Sequence, residues 1–478
     1  MSEVVATPQS PAASSTPPLR RTVYWILITL ATGGLLGRIL AVDSVNVREL
    51  EKRLKAEKRT DWQKSRPFLS ANDRSRWATA RALVEHGTYA IDDVIQEPNW
   101  DTIDMVKHVG RDGQEHLYSS KPPLLATILA GPYWLINRLT GATLGDHPYL
   151  IGRGMLLLFS VVPLVVLFYV ISLFAERFGT TDWGRIFMVC AATGGTFLTT
   201  FAVSINNHVI AAASAAIALW AYVCIVHDGR REPWRFALCG FFAAFTAANE
   251  LPALAFLVLV AVALIVKAPK PTLLAFLPAA LLVVAAHFTT NYLAHGDLRE
   301  PYAHWDDWYF YSFEVHGKTK DSYWKNPQGI DRGEPSVATY ALHTLVGHHG
   351  IFSLTPIWLL SVVGSGIWFT RRDRRDLALG ITVLSLVVYG FYLSQATIHR
   401  NYGGMTSGLR WMFWFAPLWL VALLPAADWS SATRLRRGVA LLLLGLSVLS
   451  VTYPTWNPWT QPWILNLLLD YGWVPAWQ

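Results

Sequence analysis

Long apolar runs, separated by short turns in which arginines and lysines gather, constrain the fold of this chain more than any other feature. A helix of about 20 apolar residues matches the hydrocarbon core of a bilayer, and backbone polar groups inside that core must bond within their own segment. A chain of such runs folds as a helical bundle. With 53% hydrophobic residues over 478 positions, the expected class is an all-α polytopic membrane protein whose solvent is the lipid bilayer. The net charge of +7 arises at the turns: Arg230, Arg231 and Arg235; Lys267 and Lys270; Arg371, Arg372, Arg374 and Arg375; Arg434, Arg436 and Arg437. Charge placed this way belongs to cytoplasmic loops, and no nucleic-acid partner is expected. Cys190, Cys224 and Cys239 lie inside apolar runs without metal-ligand spacing, and read as small core residues.

Residues 1–21, rich in Pro, Ala and Ser, read as a disordered cytoplasmic tail. Val23 to Val42 reads as the first span. Asp43 to Lys121 is a long external loop, with an amphipathic helix expected over 43–59 and a second helix from Asp73 to His86, stopped by Gly87. The apolar run Pro123 to Ile136 is short of the roughly 20 residues a span needs and reads as a re-entrant or interfacial helix. Parity supports this: if it crossed the membrane, every basic turn downstream would face outward, whereas otherwise all fall inside. Phe236 to Val266, interrupted by Asn249, Glu250 and Pro252, divides into two short spans. The count is about eleven spans, within a range of about ten to thirteen. They form one domain, 22–453, with external loops 43–121 and 295–349. The tail 454–478 carries Trp456, Trp459, Trp463 and Trp473, which read as an interfacial aromatic belt. The localisation that follows is an integral protein of a bacterial cytoplasmic membrane with its site facing outward.

Candidate chemistry gathers at the ends of the first loop. Transfer from a lipid phosphate needs a base for the incoming nucleophile and positive charge where the phosphate leaves. Asp73, at a helix start with Arg76 one turn on, supplies the first kind of group; the structural alternative is an acid favoured by the helix dipole. Lys121 supplies the second, its height above the membrane set by Pro122 and Pro123; the alternative is a snorkelling lysine. Asp101 and Asp104 are candidates for substrate binding, or simply solvated acids. Asn206, Asn207 and His208, in an outer turn, could bind sugar hydroxyls or sit at the interface. The turn His399 to Trp411 offers His399, Arg400 and Arg410 to a lipid phosphate, with Gly403, Gly404 and Gly408 letting backbone amides approach the anion. Asp306 and Asp307, candidates or simply solvated acids, lie in the aromatic stretch HWDDWYFY, which suits stacking on sugar rings or lying on the membrane.

The pattern Asp73-x-x-Arg76-Trp77-Ala78, then Gly87-Thr88-Tyr89, then Lys121-Pro122-Pro123-Leu124 resembles the first external loop of the protein O-mannosyltransferase and aminoarabinose-transferase group. That group belongs to the glycosyltransferase C superfamily, polytopic enzymes that use polyprenyl-phosphate sugars. The resemblance implies that Asp73 is the catalytic carboxylate and that Lys121 meets the donor phosphate. It further implies that transfer inverts the anomeric carbon and that the acceptor is a protein, lipid or glycan. The chain departs from the pattern at Ser120 and Arg74, where acids are usual, and no carboxylate stands in the Ser204 to His208 turn, which weighs against a divalent cation. No metal or other cofactor is assigned. Two rival readings stay open: a transporter or flippase of a lipid-linked or polar substrate, and an inactive relative serving envelope assembly.

Overall fold

The computed structural model describes residues 17–41, 68–315, 317–454 and 457–473. The helix expected over 43–59, the tail before Pro17 and Trp456 lie outside the described residues. The helices include α1 (Pro17–Ala41), α2 (Ala71–Glu85), α3 (Pro123–Thr140), α4 (Pro148–Phe178), α5 (Asp182–Gly194), α6 (Asn207–Val226), α7 (Pro233–Asn249), α8 (Leu251–Lys267), α9 (Pro269–His295), α10 (Trp358–Phe369), α11 (Arg375–Leu393), α12 (Arg410–Ser430), α13 (Arg434–Thr452) and α14 (Trp463–Asp470). Seven of these, α1, α4, α6, α9, α11, α12 and α13, are long and apolar enough to cross a membrane. The other four expected spans appear as the shorter helices α5, α7, α8 and α10. The chain is an integral membrane protein, and its outward-turned apolar stripes fit that solvent. Leu254, Val258, Val262 and Val266 of α8 are exposed at intervals of one turn, as are Leu435, Val439, Leu442 and Leu446 of α13.

At the centre, α6 is alanine-rich and almost wholly buried, which lets α7 pack closely along it. On the other side α12 packs against α10 and α5. α4 and α9 each contain a π-turn, Leu157–Val161 and Thr272–Phe276, shortly before Pro163 and Pro278. A proline has no N–H to give, and the wider turn absorbs the missing bond.

The helix ends sort by charge. One end is laced by ion pairs among the basic turns: Arg20 with Glu176 and Asp182, Arg177 with Asp228, and His227 with Asp376. At the opposite end lie the long loops and every group of the candidate site. The expected break between two short spans occurs at Glu250, between α7 and α8. α3 runs beside α2: Lys121 just before it pairs with Asp104, while Tyr133 and the backbone of Leu144 after it bond Glu85 at the end of α2. Both of its ends are therefore tied to the first loop.

Two features were not expected. The first loop contains a hairpin, β1 (Met105–Val109) paired antiparallel with β2 (Glu115–Ser119), and the second contains another, β3 (Ser312–Val315) with β4 (Lys318–Asp321). Trp459 does not join a membrane belt: it is 9% exposed and packs edge-on against Phe201. Trp463 bonds Ser450 through its indole N–H, and only Trp473 of the described tail tryptophans stands well exposed.

Candidate functional site

α2 begins at Ala71, two residues before the expected start at Asp73, with Ser70 as its cap. The Ser70 hydroxyl accepts the Asp73 amide at 3.0 Å, and the helix closes at His86 before Gly87, whose φ is +71°. Asp73 is 2% exposed. Its carboxylate accepts the Trp77 indole N–H at 2.8 Å, the Ile205 amide at 3.0 Å and the Leu69 amide at 3.3 Å. Burial pushes its pKa up to about 7 against the pull of those donors. Three of about four acceptor positions on a carboxylate are thus occupied, leaving one. The Ile205 bond also ties α2 to the turn leading into α6.

One turn on, Arg76 is 4% exposed. It donates to the Asn72 carbonyl and side chain and, at 2.7 Å, to Asn207 Oδ1. Asn207 passes the connection on, its amide donating at 2.8 Å to the Asn249 carbonyl and at 2.9 Å to Glu250 Oε1. Glu250 is buried and also meets His208 Nδ1. Arg410 reaches His208 Nε2 at 3.2 Å. A guanidinium can only donate, so Nε2 accepts and the His208 proton sits on Nδ1, facing Glu250. Arg410 is oriented by the Gly403 carbonyl at 2.8 Å and by the Trp459 ring, 5.2 Å from its guanidinium carbon. A continuous chain therefore runs Arg76, Asn207, Glu250, His208, Arg410, drawn from four segments distant in sequence.

Among the described residues neither Arg76 nor Arg410 has a carboxylate at ion-pair distance; their partners are amides, carbonyls, an imidazole and a ring. Burial holds the Arg76 pKa below its usual range, and the nearby Arg410 charge acts in the same direction. Asp73 and Asp104 act on Arg76 from a distance and Glu250 stands one link from each guanidinium, so both cations hold their charge without a directly bonded carboxylate, an arrangement that can receive an anion.

The far end of the loop is stitched to the start of α2. The Ser75 hydroxyl donates to the Asp104 carbonyl at 2.6 Å and lies 2.6 Å from the Ser119 hydroxyl, while the Ser120 amide meets the same carbonyl at 3.1 Å. Lys121 follows at once. Its Nζ donates to Asp104 Oδ1 at 2.9 Å and stands 5.8 Å from the Tyr302 ring centroid. Asp104 thus stands as the ion-pair partner of Lys121. Asp331, in the second loop, feels the charges of Asp104, Arg410 and Lys121; burial raises its pKa, and it accepts the Tyr323 hydroxyl at 2.9 Å.

Several candidates fall elsewhere. Asn206 caps α6, accepting the Val209 amide and donating to the Phe201 and Ser204 carbonyls. Arg400 donates to the carbonyls of Glu334, Gln395 and Pro335 and to the Thr397 hydroxyl, a bracing role in place of phosphate contact. His399 lies against the edge of Trp305, 4.8 Å between centroids, with its pKa lowered by burial. Asp101 has its side chain at the exposed rim, while its carbonyl accepts Arg74 Nε at 2.6 Å. The amides of Gly403 and Gly404 bond Asn401 within their own turn, and Gly408 is small because Phe197 crosses it. Glu250 and Asp331 were not among the predicted site residues. A carboxylate in an apolar run was a visible signal for Glu250; nothing local marks Asp331. Among the described residues no group of three or more His, Cys, Asp or Glu side chains is arranged to hold a metal.

Compared by sequence, the chain matches no protein-family profile and no curated protein. Compared by structure, it is similar to the Archaeoglobus fulgidus oligosaccharyltransferase in complex with Zn and sulfate. The TM-score is 0.46 at 12% identity, covering 91% of this chain and 53% of that one. It is also similar to the archaeal oligosaccharyltransferase AglB from Archaeoglobus fulgidus in complex with an inhibitory peptide and a dolichol-phosphate. Here the TM-score is 0.44 at 13% identity, covering 92% and 55%. The chain spans about half the length of these solved structures.

Proposed function

We propose that the chain is a membrane glycosyltransferase that moves a sugar from a polyprenyl-phosphate carrier to an acceptor, on the membrane face opposite the basic turns. The observation that carries this reading is the pair of guanidiniums, Arg76 buried and Arg410 half-buried, joined through Asn207, Glu250 and His208 and without a carboxylate at ion-pair distance among the described residues. In this mechanism the lipid phosphate lies between them and Lys121. As the bond from the anomeric carbon to the phosphate oxygen breaks, negative charge grows on the phosphate, and preorganised cations stabilise that growth. Asp73, with a pKa near 7, takes the proton of the acceptor nucleophile, which attacks from the opposite side and inverts the carbon. Asp104 holds Lys121 in place between turnovers.

The test is transfer in membranes supplied with polyprenyl-linked sugars. Asp73→Asn is expected to abolish transfer at a normal protein level. Arg76→Gln and Arg410→Gln each remove charged hydrogen bonds worth about 1.5–3 kcal/mol, and should lower kcat/KM by roughly tenfold to a hundredfold. Wild-type rates in all three variants would remove the basis of the reading.

A further inference from the structure

The two outer loops meet beside Lys121 in an aromatic seam that leaves hydrogen-bonding groups without partners. Ser120 is 1% and Tyr309 2% exposed. The Tyr309 hydroxyl is directed toward Ser120, yet neither oxygen makes a bond of hydrogen-bonding geometry, and the buried Trp324 indole N–H has no partner either. A buried group left without a partner destabilises the fold. Three such groups along one seam can take bonds from a ligand that brings its own hydroxyls. Around it, Trp305 lies 4.5 Å from Tyr309 and 5.2 Å from Trp324, centroid to centroid, and the Asp104 carboxylate stands on Lys121 at 2.9 Å. Aromatic walls, hydroxyl and indole donors and one carboxylate are the groups that recognise a carbohydrate. Its ring faces pack on the aromatics while its hydroxyls bridge donor and acceptor.

We infer that this seam is a sugar-binding subsite in which Ser120, Tyr309 and Trp324 bond the hydroxyls of a ring held beside Lys121. It rests on the lipid-phosphate reading, because Ser120 adjoins the lysine that faces the phosphate. The seam is closed by few polar links, chiefly Tyr311 hydroxyl to the Met105 carbonyl at 3.2 Å and Gln96 to the Glu314 carbonyl at 3.0 Å.

The experiment uses purified full-length protein in lipid nanodiscs, titrated by tryptophan fluorescence. The probes are decaprenyl phosphate alone, decaprenyl phosphate bearing mannose, arabinose or N-acetylglucosamine, and the free methyl glycosides of the same sugars. At least one sugar-bearing lipid should bind about tenfold more tightly than the bare lipid phosphate, the worth of one or two hydrogen bonds. Ser120→Ala with Tyr309→Phe, which together remove only two oxygens, should erase that gain while leaving the Kd for bare lipid phosphate unchanged; matched melting temperatures exclude misfolding. A gain that survives the double variant, or wild-type protein that gains nothing from sugar in either form, overturns the subsite. A gain shown only by free glycosides, and lost in the double variant, keeps the subsite and assigns it to the acceptor. If wild-type protein fails to bind bare lipid phosphate, the lipid-phosphate reading falls, and the glycoside titrations then decide the subsite alone.

Discussion

Asp73 and Arg76 lie one turn apart on α2, and burial acts on both, raising the pKa of the acid and lowering that of the base. For Asp73 the folded value of about 7 stands above the ordinary 3.8, so the carboxyl takes up its proton as pH falls through about 7. A base must be unprotonated, and kcat/KM should therefore rise with pH and level off above that value. Stability runs the other way: the contribution of this group is complete below the unfolded pKa and is lost as pH rises through the folded one. A pH–rate profile flat from about 5.5 to 8.5 would count against Asp73 as the base, and Asp73→Asn should remove the corresponding slope in melting temperature. Asp104→Asn releases Lys121 from its ion pair. The freed lysine should bind bare lipid phosphate at least as well as before but transfer more slowly, which a split between Kd and kcat would detect.

At the scale of elements, local signals foretold local structure. The stop of α2 follows from Gly87 and the break at Glu250 from a carboxylate and a proline inside an apolar run, whereas the Ser70 cap lies three residues ahead of the expected start at Asp73. The hairpin β1–β2 was not legible: MVKHV and EHLYS are short and mix polar with apolar residues, and the strands are held by the Ser75 stitch to α2 as much as by their own ladder. Arg400 and Arg410 share one turn and one composition, yet one braces carbonyls of the second loop and the other faces the site. Only the tertiary fold separates them. The stitch makes a testable demand. Ser75→Ala should loosen the segment from Met105 to Lys121 by about 1–2 kcal/mol, read as faster amide exchange there, and should raise KM for the donor because Lys121 loses its fixed position.

For the whole molecule, the sorting of basic turns to one end and long loops to the other is the parity expected from the sequence with α3 outside the span count. Cysteines placed at Gln114, near the tip of the first hairpin, and at Ala432, among the basic turns, should react with a membrane-impermeant thiol reagent from opposite sides; labelling from one side only would reject this arrangement. The misreading of Trp459 shows where composition misleads, since a tail of Trp and Pro looks alike whether it floats at an interface or packs inside. Its actual place under Arg410 bears on how the protein is made. Asp73 leaves the ribosome before Arg410, and Arg410 before Trp459, so the proposed anion site gains its Trp459 wall only after both of its other parts have been made. If the proposed function holds, a chain inserted before Trp459 is made would hold an anionic lipid poorly, and the order of residues along the chain sets the order in which the site is assembled.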